Sequence, residues 1–185
     1  MFILYLIAVI ISLLIVFFAF FILVILVNLV FLLKTGVPYV TSGKECYNEI
    51  FNRAVSVSGA TVYDLGCGNG EFLFEAARYG AKKCIGYELS FFPFLLGFIR
   101  SIFQGEGRVN IYWGDFMKAD LSKANIIYLY LVPRVINKIY NKIIKEVSPG
   151  TIIIIKGSSL LNHEPDDKII FNNLKNYGLY IYKIK

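Results

Sequence analysis

Asp64-Leu65-Gly66-Cys67-Gly68-Asn69-Gly70 stands between a β-type run at residues 60–65 and a helical run at 71–79. A strand that breaks into alternating glycines and then opens a helix lets the backbone turn tightly and approach a ligand closely. Outward from this loop the alternation continues, with strands at 83–88, 109–113, 126–132 and 151–156 and helices at 91–103 and 133–147. Pro133 suits the first turn of its helix. The four isoleucines Ile152 to Ile155 suit a strand covered on both faces. Runs at 167–173 and 179–184 flank Asn176-Tyr177-Gly178 and read as a closing hairpin, while 43–57 reads as a helix ahead of the first strand. The pattern predicts an α/β fold: a Rossmann-like, doubly wound, mostly parallel sheet with a C-terminal β-hairpin.

Three acids mark where a ligand belongs. Open sheets of this kind bind at the carboxyl ends of their strands. Asp64, Glu88 and Asp115 stand at three successive strand ends, Glu88 lying 22 residues beyond Gly66. A dinucleotide site uses G-x-G-x-x-G and offers backbone amides to a pyrophosphate. Asp64 would repel that group, and position 71 holds Glu where the third glycine would stand. S-adenosylmethionine (SAM) instead carries an ammonium and a sulfonium, which a carboxylate attracts. Glu88 would accept from both ribose hydroxyls, Asp115 from the adenine amino group, and Phe116 would stack on the adenine ring. Gly66, Cys67, Gly68 and Gly70 would form the wall of the site.

The first 33 residues contain no charged residue and no histidine, and only Ser12 and Asn28 interrupt the apolar run. As a helix, residues 2–33 would be roughly 48 Å long. The hydrocarbon core is about 30 Å thick, so one tilted span is predicted. No basic start or small-residue cleavage site marks a signal peptide. Lys34, Lys44 and Arg53 follow the span and no Lys or Arg precedes it, which places the N-terminus outside and the following domain in the cytoplasm. The predicted organisation is a transmembrane anchor at 1–33, a linker at 34–42 and a SAM-binding domain at 43–185.

The other residues exclude more than they assign. All 19 basic and 13 acidic side chains lie at or beyond Lys34, with a net charge of +6 and no dense basic run, so no nucleic-acid partner is expected. Cys46, Cys67 and Cys84 form no C-x-x-C pair, which argues against a disulfide framework or a metal site and fits a reducing compartment. Tyr128-Leu129-Tyr130-Leu131-Val132-Pro133 is not the N/D-P-P-Y/F segment that grips planar amides and bases. His163, the one histidine, stands in a loop and reads as solvated. Residues 91–103 are apolar on nearly every side, more than one sheet face requires, and the surplus is a candidate membrane contact.

D-L-G-C-G-N-G, Gly86-Tyr87-Glu88-Leu89 and Gly114-Asp115 resemble the class I (seven-strand) SAM-dependent methyltransferases over about residues 43–185. A single span, Val37-Pro38-Tyr39-Val40, Glu75-Ala76-Ala77-Arg78, G-Y-E-L and Leu131-Val132-Pro133 further resemble a narrower group. These are the membrane-anchored protein-lysine methyltransferases of mitochondria that modify the ATP synthase c subunit or the adenine nucleotide translocase. Cys67, Asn69 and Ser90 stand where that group tends to have Ser, Asp and Asn. The resemblance implies that Leu89 belongs to the cofactor site and that Pro38, Tyr39 and Thr41 line the entrance near the methyl group. It implies methylation of a lysine on a membrane or membrane-proximal protein. The alternatives are methylation of a lipid or lipophilic small molecule, or a catalytically silent SAM-binding membrane scaffold. Methyl transfer requires no metal and no covalent nucleophile. Tyr39, Tyr128 and Tyr130 are candidates to help an acceptor lysine lose its proton.

Overall fold

The structure, a computed structural model, describes residues 1–35, 47, 49–161, 163–171 and 178–185. The chain divides into two compact units, Met1–Pro38 and Tyr39–Lys185.

The first unit is built on one helix, α1 (Phe2–Thr35). Its residues Phe2–Val27 form, among the described residues, the one helix long and apolar enough to cross a membrane, with a mean hydropathy of 3.5. Such a helix satisfies all its backbone donors and acceptors internally, which is what a hydrocarbon environment demands. Ser12 returns its hydroxyl to the carbonyl of Ala8 and so hides its own polar group.

The second unit is a seven-stranded sheet made of β1 (Thr61–Leu65), β2 (Lys83–Glu88), β3 (Val109–Trp113), β4 (Ile126–Leu129), β5 (Ile152–Lys156), β6 (Asp167–Ile170) and β7 (Gly178–Lys183). The order is β3-β2-β1-β4-β5-β7-β6, parallel from β3 to β5 and antiparallel where β7 inserts between β5 and β6. The chain runs outward from β1 in one direction, then returns and runs outward in the other. The reversal lies between β1 and β4, where an open sheet leaves a crevice at its strand ends. The helices are α2 (Glu71–Arg78), α3 (Phe91–Gln104) and α4 (Pro133–Glu146).

Two cores cover the two faces. On one, α2 places Phe72, Leu73 and Ala76 over Val62, Cys84 and Ile154. The helical segment that holds Tyr47 and Glu49 adds Ile50 and Phe51, and Phe51 stacks on Phe72 with ring centroids 5.4 Å apart. On the other face α4 packs Ile136, Ile139 and Ile143, at helical spacing, against Leu65, Ile127, Leu129 and Ile153. Tyr63 and Ile85 belong to this second core, whereas Val62 and Cys84 belong to the first, so odd and even residues of β1 and β2 bury on opposite sides.

Three boundaries differ from the sequence reading by more than one residue. β4 ends at Leu129 instead of residue 132, because Val132 is already the extended N-cap of α4 with Pro133 at N1. β6 stops at Ile170, and residues 172–173 lie outside the described residues. The segment read as a plain helix to residue 57 is π-helical over Ile50–Ala54, closed by the Val55 amide on the Ile50 carbonyl.

Candidate functional site

The site grows from the loop between β1 and α2. Gly66, Gly68 and Gly70 all have positive φ (88°, 56° and 79°), where a side chain would be strained. Side-chain tips also crowd Gly66 and Gly70. A Cβ at Gly66 would lie 2.9 Å from Cδ2 of Leu131, and one at Gly70 would lie 2.5 Å from Cδ1 of Ile111. The loop is tied to β2 because the amides of Gly66 and Cys67 both donate to the carbonyl of Tyr87, at 2.9 and 3.1 Å. The Gly70 amide closes the turn on the Cys67 carbonyl at 2.8 Å, and the Phe74 amide starts α2 on the Gly70 carbonyl.

Glu88 is the node of the site. It is 8% exposed at the end of β2. Its Oε2 accepts from the amide of Gly68 at 2.9 Å and its Oε1 from the amide of Ser90 at 2.6 Å. Its own carbonyl accepts from the Gly114 amide, which binds the end of β3 to that of β2. One carboxylate therefore fixes the glycine loop and the turn into α3 together. Each oxygen keeps a further lone pair for another donor.

Asp64 is placed differently. It is the fourth residue of β1, in register with Gly86 on one side and Tyr128 on the other, and is 5% exposed. No described residue donates a hydrogen bond to its carboxyl group. Burial pushes its pKa well above the ordinary carboxylate range, and the nearby Glu88 pushes it further in the same direction. A buried carboxyl without a partner costs free energy when ionised, and a cation brought beside it would offset that cost. Cys67 shares the pocket wall. Burial holds its thiol well above the usual range, with Asp64 and Glu88 adding to the effect, which favours the neutral thiol.

The remaining predicted residues scatter. Leu89 is 45% exposed beside Glu88. Asp115 is exposed and its Oδ1 caps the short 3-10 turn at Phe116–Lys118 by accepting from the Met117 amide at 2.8 Å. Phe116 is half-buried and packs against the second core. Tyr128 is a core residue, 2% exposed and stacked on Phe72 with centroids 4.0 Å apart; a sequence alone shows neither the burial nor the stack. Tyr130 lies just beyond β4, with the Lys156 ammonium 4.6 Å from its ring centroid. Pro38, Tyr39 and Thr41 lie outside the described residues. His163 meets Tyr140 edge-on beside a hollow of about 490 Å³ lined by Ser159, Leu160, Glu164 and Lys168, which includes no residue of the glycine loop.

Two glycines to which the sequence reading gave no structural role shape the site. A Cβ on Gly86 would come within 2.6 Å of both Cys67 Sγ and Leu73 Cδ1, so the bare strand lets the loop and α2 close on β2. A Cβ on Gly97, the only fully buried residue of α3, would lie 3.0 Å from the Asn69 carbonyl carbon and 2.8 Å from Ile111 Cδ1. The glycine loop thus rests directly on α3. An isolated glycine in an apolar helix is the only signal the sequence offers for this.

Known proteins resemble this chain in sequence and fold. A protein-lysine N-methyltransferase of Saccharolobus islandicus (strain REY15A) is 28% identical over 151 residues, which cover 80% of this chain and 94% of that relative. The crystal structure of an RNA methyltransferase from Salinibacter ruber in complex with S-adenosyl-L-homocysteine superposes with a TM-score of 0.71 at 26% identity, covering 78% of this chain and 94% of that one. A SAM-dependent methyltransferase from Geobacter sulfurreducens, also with S-adenosyl-L-homocysteine, shares the fold at a TM-score of 0.54 and 23% identity, over 61% of this chain and 47% of that one. The model of the ANTKMT methyltransferase domain matches residues 64–167, which begin at the buried Asp64 and run through every strand end that carries a predicted acid. That span is more than half of the 185 residues, and the chain belongs to the ANTKMT methyltransferase domain family as a SAM-dependent methyltransferase.

Proposed function

We propose that this methyltransferase transfers a methyl group to a lysine of a membrane or membrane-proximal protein, with α1 as its anchor and the catalytic domain on the cytoplasmic side. The anchor would be residues 1–33, with 34–42 as linker to the domain at 43–185. The observation that carries the cofactor assignment is the pair of buried carboxyls at adjacent strand ends, one pinned by two amides and one that accepts from none of the described residues.

In this reading Asp64 receives the ammonium of SAM and ionises beside it. Glu88, already oriented by Gly68 and Ser90, accepts the two ribose hydroxyls with its remaining lone pairs. The Cβ-free backbone of Gly66, Gly68 and Gly70 permits close approach, and Cys67 fills the wall behind it. Leu89, Asp115 and Phe116 would border the adenine, and Pro38, Tyr39 and Thr41 the methyl end. When bound, SAM supplies a methyl group already activated on a sulfonium, so the chain's own contribution is position and orientation. The acceptor must arrive as a neutral amine. Tyr130, held against Lys156 at the end of β4, is the described tyrosine best placed to line its approach.

The lysine assignment is supported by the archaeal relative, and the membrane assignment by the length and apolarity of α1. The test is to incubate the full chain in its native membranes with methyl-labelled SAM and to hydrolyse the product. Label in methyllysine supports the proposal. Label confined to the lipid extract replaces it with lipid methylation, and no label in either fraction favours a silent SAM-binding scaffold.

A further inference from the structure

We infer that α3 and the edge strand β3 form a bilayer-docking face, which seats the SAM site at the lipid surface. Twelve large apolar residues among those described in 47–185 are exposed, and eight of them, leaving aside Tyr112, whose ring meets Tyr87 on the opposite face of the sheet from Trp113, fall between Leu89 and Trp113. The concentration matters, because single exposed apolar residues are ordinary and a contiguous patch is not. On α3, Leu96, Ile99 and Phe103 follow one another at i, i+3 and i+7 and are 64%, 44% and 81% exposed. Phe98 and Ile102 form the adjacent row at 42% and 63%. The one charged side chain of the helix, Arg100, lies over the ring of Phe74, 4.0 Å from its centroid, and bonds Gln104. The apolar rows themselves carry no charge.

β3 continues the face. Trp113 is 61% exposed, stacks with Phe94 and donates its indole N–H to the Leu89 carbonyl at 3.0 Å. An apolar ring with its one polar atom already satisfied suits the boundary between headgroups and acyl chains. Leu89 follows Glu88 directly and belongs both to the patch and to the proposed cofactor site, so the two meet there.

The occupant is argued from the chain itself. This inference rests on reading α1 as a membrane span. Eleven residues, 36–46, separate the end of α1 from Tyr47, and a chain of that length reaches at most about 40 Å. The bilayer is therefore always within reach of the domain, at high effective concentration, whereas a second copy must diffuse to it. The net charge of +6 also favours an anionic leaflet.

Trp113 is the only tryptophan in the chain, so its fluorescence reports on this face alone. The full chain is reconstituted into vesicles of phosphatidylcholine with one fifth anionic lipid, either unbrominated or brominated on the acyl chains near the headgroups. Docking predicts that the chain floats with both vesicles and loses most of its emission only in the brominated ones. The Ile102→Glu, Phe103→Glu variant, altered at two exposed positions, should float equally, melt like the parent and recover the emission. A chain that floats but emits equally in both lipids overturns the docking face and leaves the anchor standing. A Trp113 that bromine does not reach, and whose shielding from aqueous iodide falls as lipid dilutes the protein, overturns it in favour of a second copy. A chain that fails to float removes the anchor reading and the docking face together.

Discussion

Removing the Glu88 carboxylate should destabilise the protein even without cofactor, by an amount its two hydrogen bonds set. In Glu88→Ala the amides of Gly68 and Ser90 each lose a charged acceptor, at 2.9 and 2.6 Å. Bonds to charged groups contribute about 1.5–3 kcal/mol each, and water entering the vacated space recovers part of that. A net loss of about 2 kcal/mol is expected. For a chain of 150–250 residues this corresponds to a melting temperature lower by roughly 4–8 °C. Glu88→Gln is a sharper probe than it looks. A carboxamide accepts at one end and donates at the other, so it can serve only one of the two amides and opposes the other. It should therefore lose about half as much, roughly 1 kcal/mol, despite nearly equal volume. The assay is thermal unfolding of the full chain in nanodiscs without SAM. If Glu88→Ala melts within about one degree of the parent, the carboxylate does not organise the loop and the reasoning fails.

Asp64 should behave in the opposite sense. Its folded pKa is raised by burial and by Glu88, so any stability it contributes is present below the unfolded carboxylate pKa and lost as pH rises through the folded value. Asp64→Asn should therefore raise the melting temperature without SAM at neutral pH, with a gain that disappears in acid; a lower melting temperature at neutral pH would refute this. For the same reason SAM should bind the parent more tightly as pH rises through the Asp64 titration, with proton release seen as a buffer-dependent binding enthalpy, and an enthalpy independent of buffer would count against it. Gly97→Ala gains about 1 kcal/mol of helix propensity but forces a Cβ against the Asn69 carbonyl, and overpacking costs about 1–3 kcal/mol. Its stability should change little while its SAM affinity falls, because the loop must yield; unchanged affinity would show that α3 does not support the loop. Alkaline carbonate should leave the chain in the membrane pellet if α1 spans, and release it if α1 is only adsorbed.

The fold was legible because its signals were redundant. Several elements were announced twice, by their apolar pattern and by a breaker at one end, as with Pro133 at the start of α4 and the glycines after Leu65. The positions of the strand-end acids were legible for the same reason: Asp64 and Glu88 each stand in a β-type run within two residues of a glycine, and both lie in the last two residues of their strands. What sequence could not show was contact. Tyr128 and Tyr130 look equivalent in the sequence, yet Tyr128 is stacked on Phe72 in the core and the ring of Tyr130 lies under the Lys156 ammonium. Asp115 was legible as an acid at a strand end, but the cap it gives Met117 depends on a 3-10 turn that no periodicity marks. Gly97 was hidden because its role depends on a loop 28 residues earlier in the chain. The π-helical segment at Ile50–Ala54 was invisible because it shifts hydrogen bonds by one residue without altering which residues are apolar.

The most direct test of the account is a calorimetric titration of SAM into the full chain in nanodiscs, beside Asp64→Ala and Glu88→Ala. The account predicts micromolar binding by the parent, about −8 kcal/mol, weakened at least about tenfold by each substitution. A parent that melts cooperatively but binds no SAM, or variants that bind as the parent does, would contradict the assignment of the cofactor to these two strand ends.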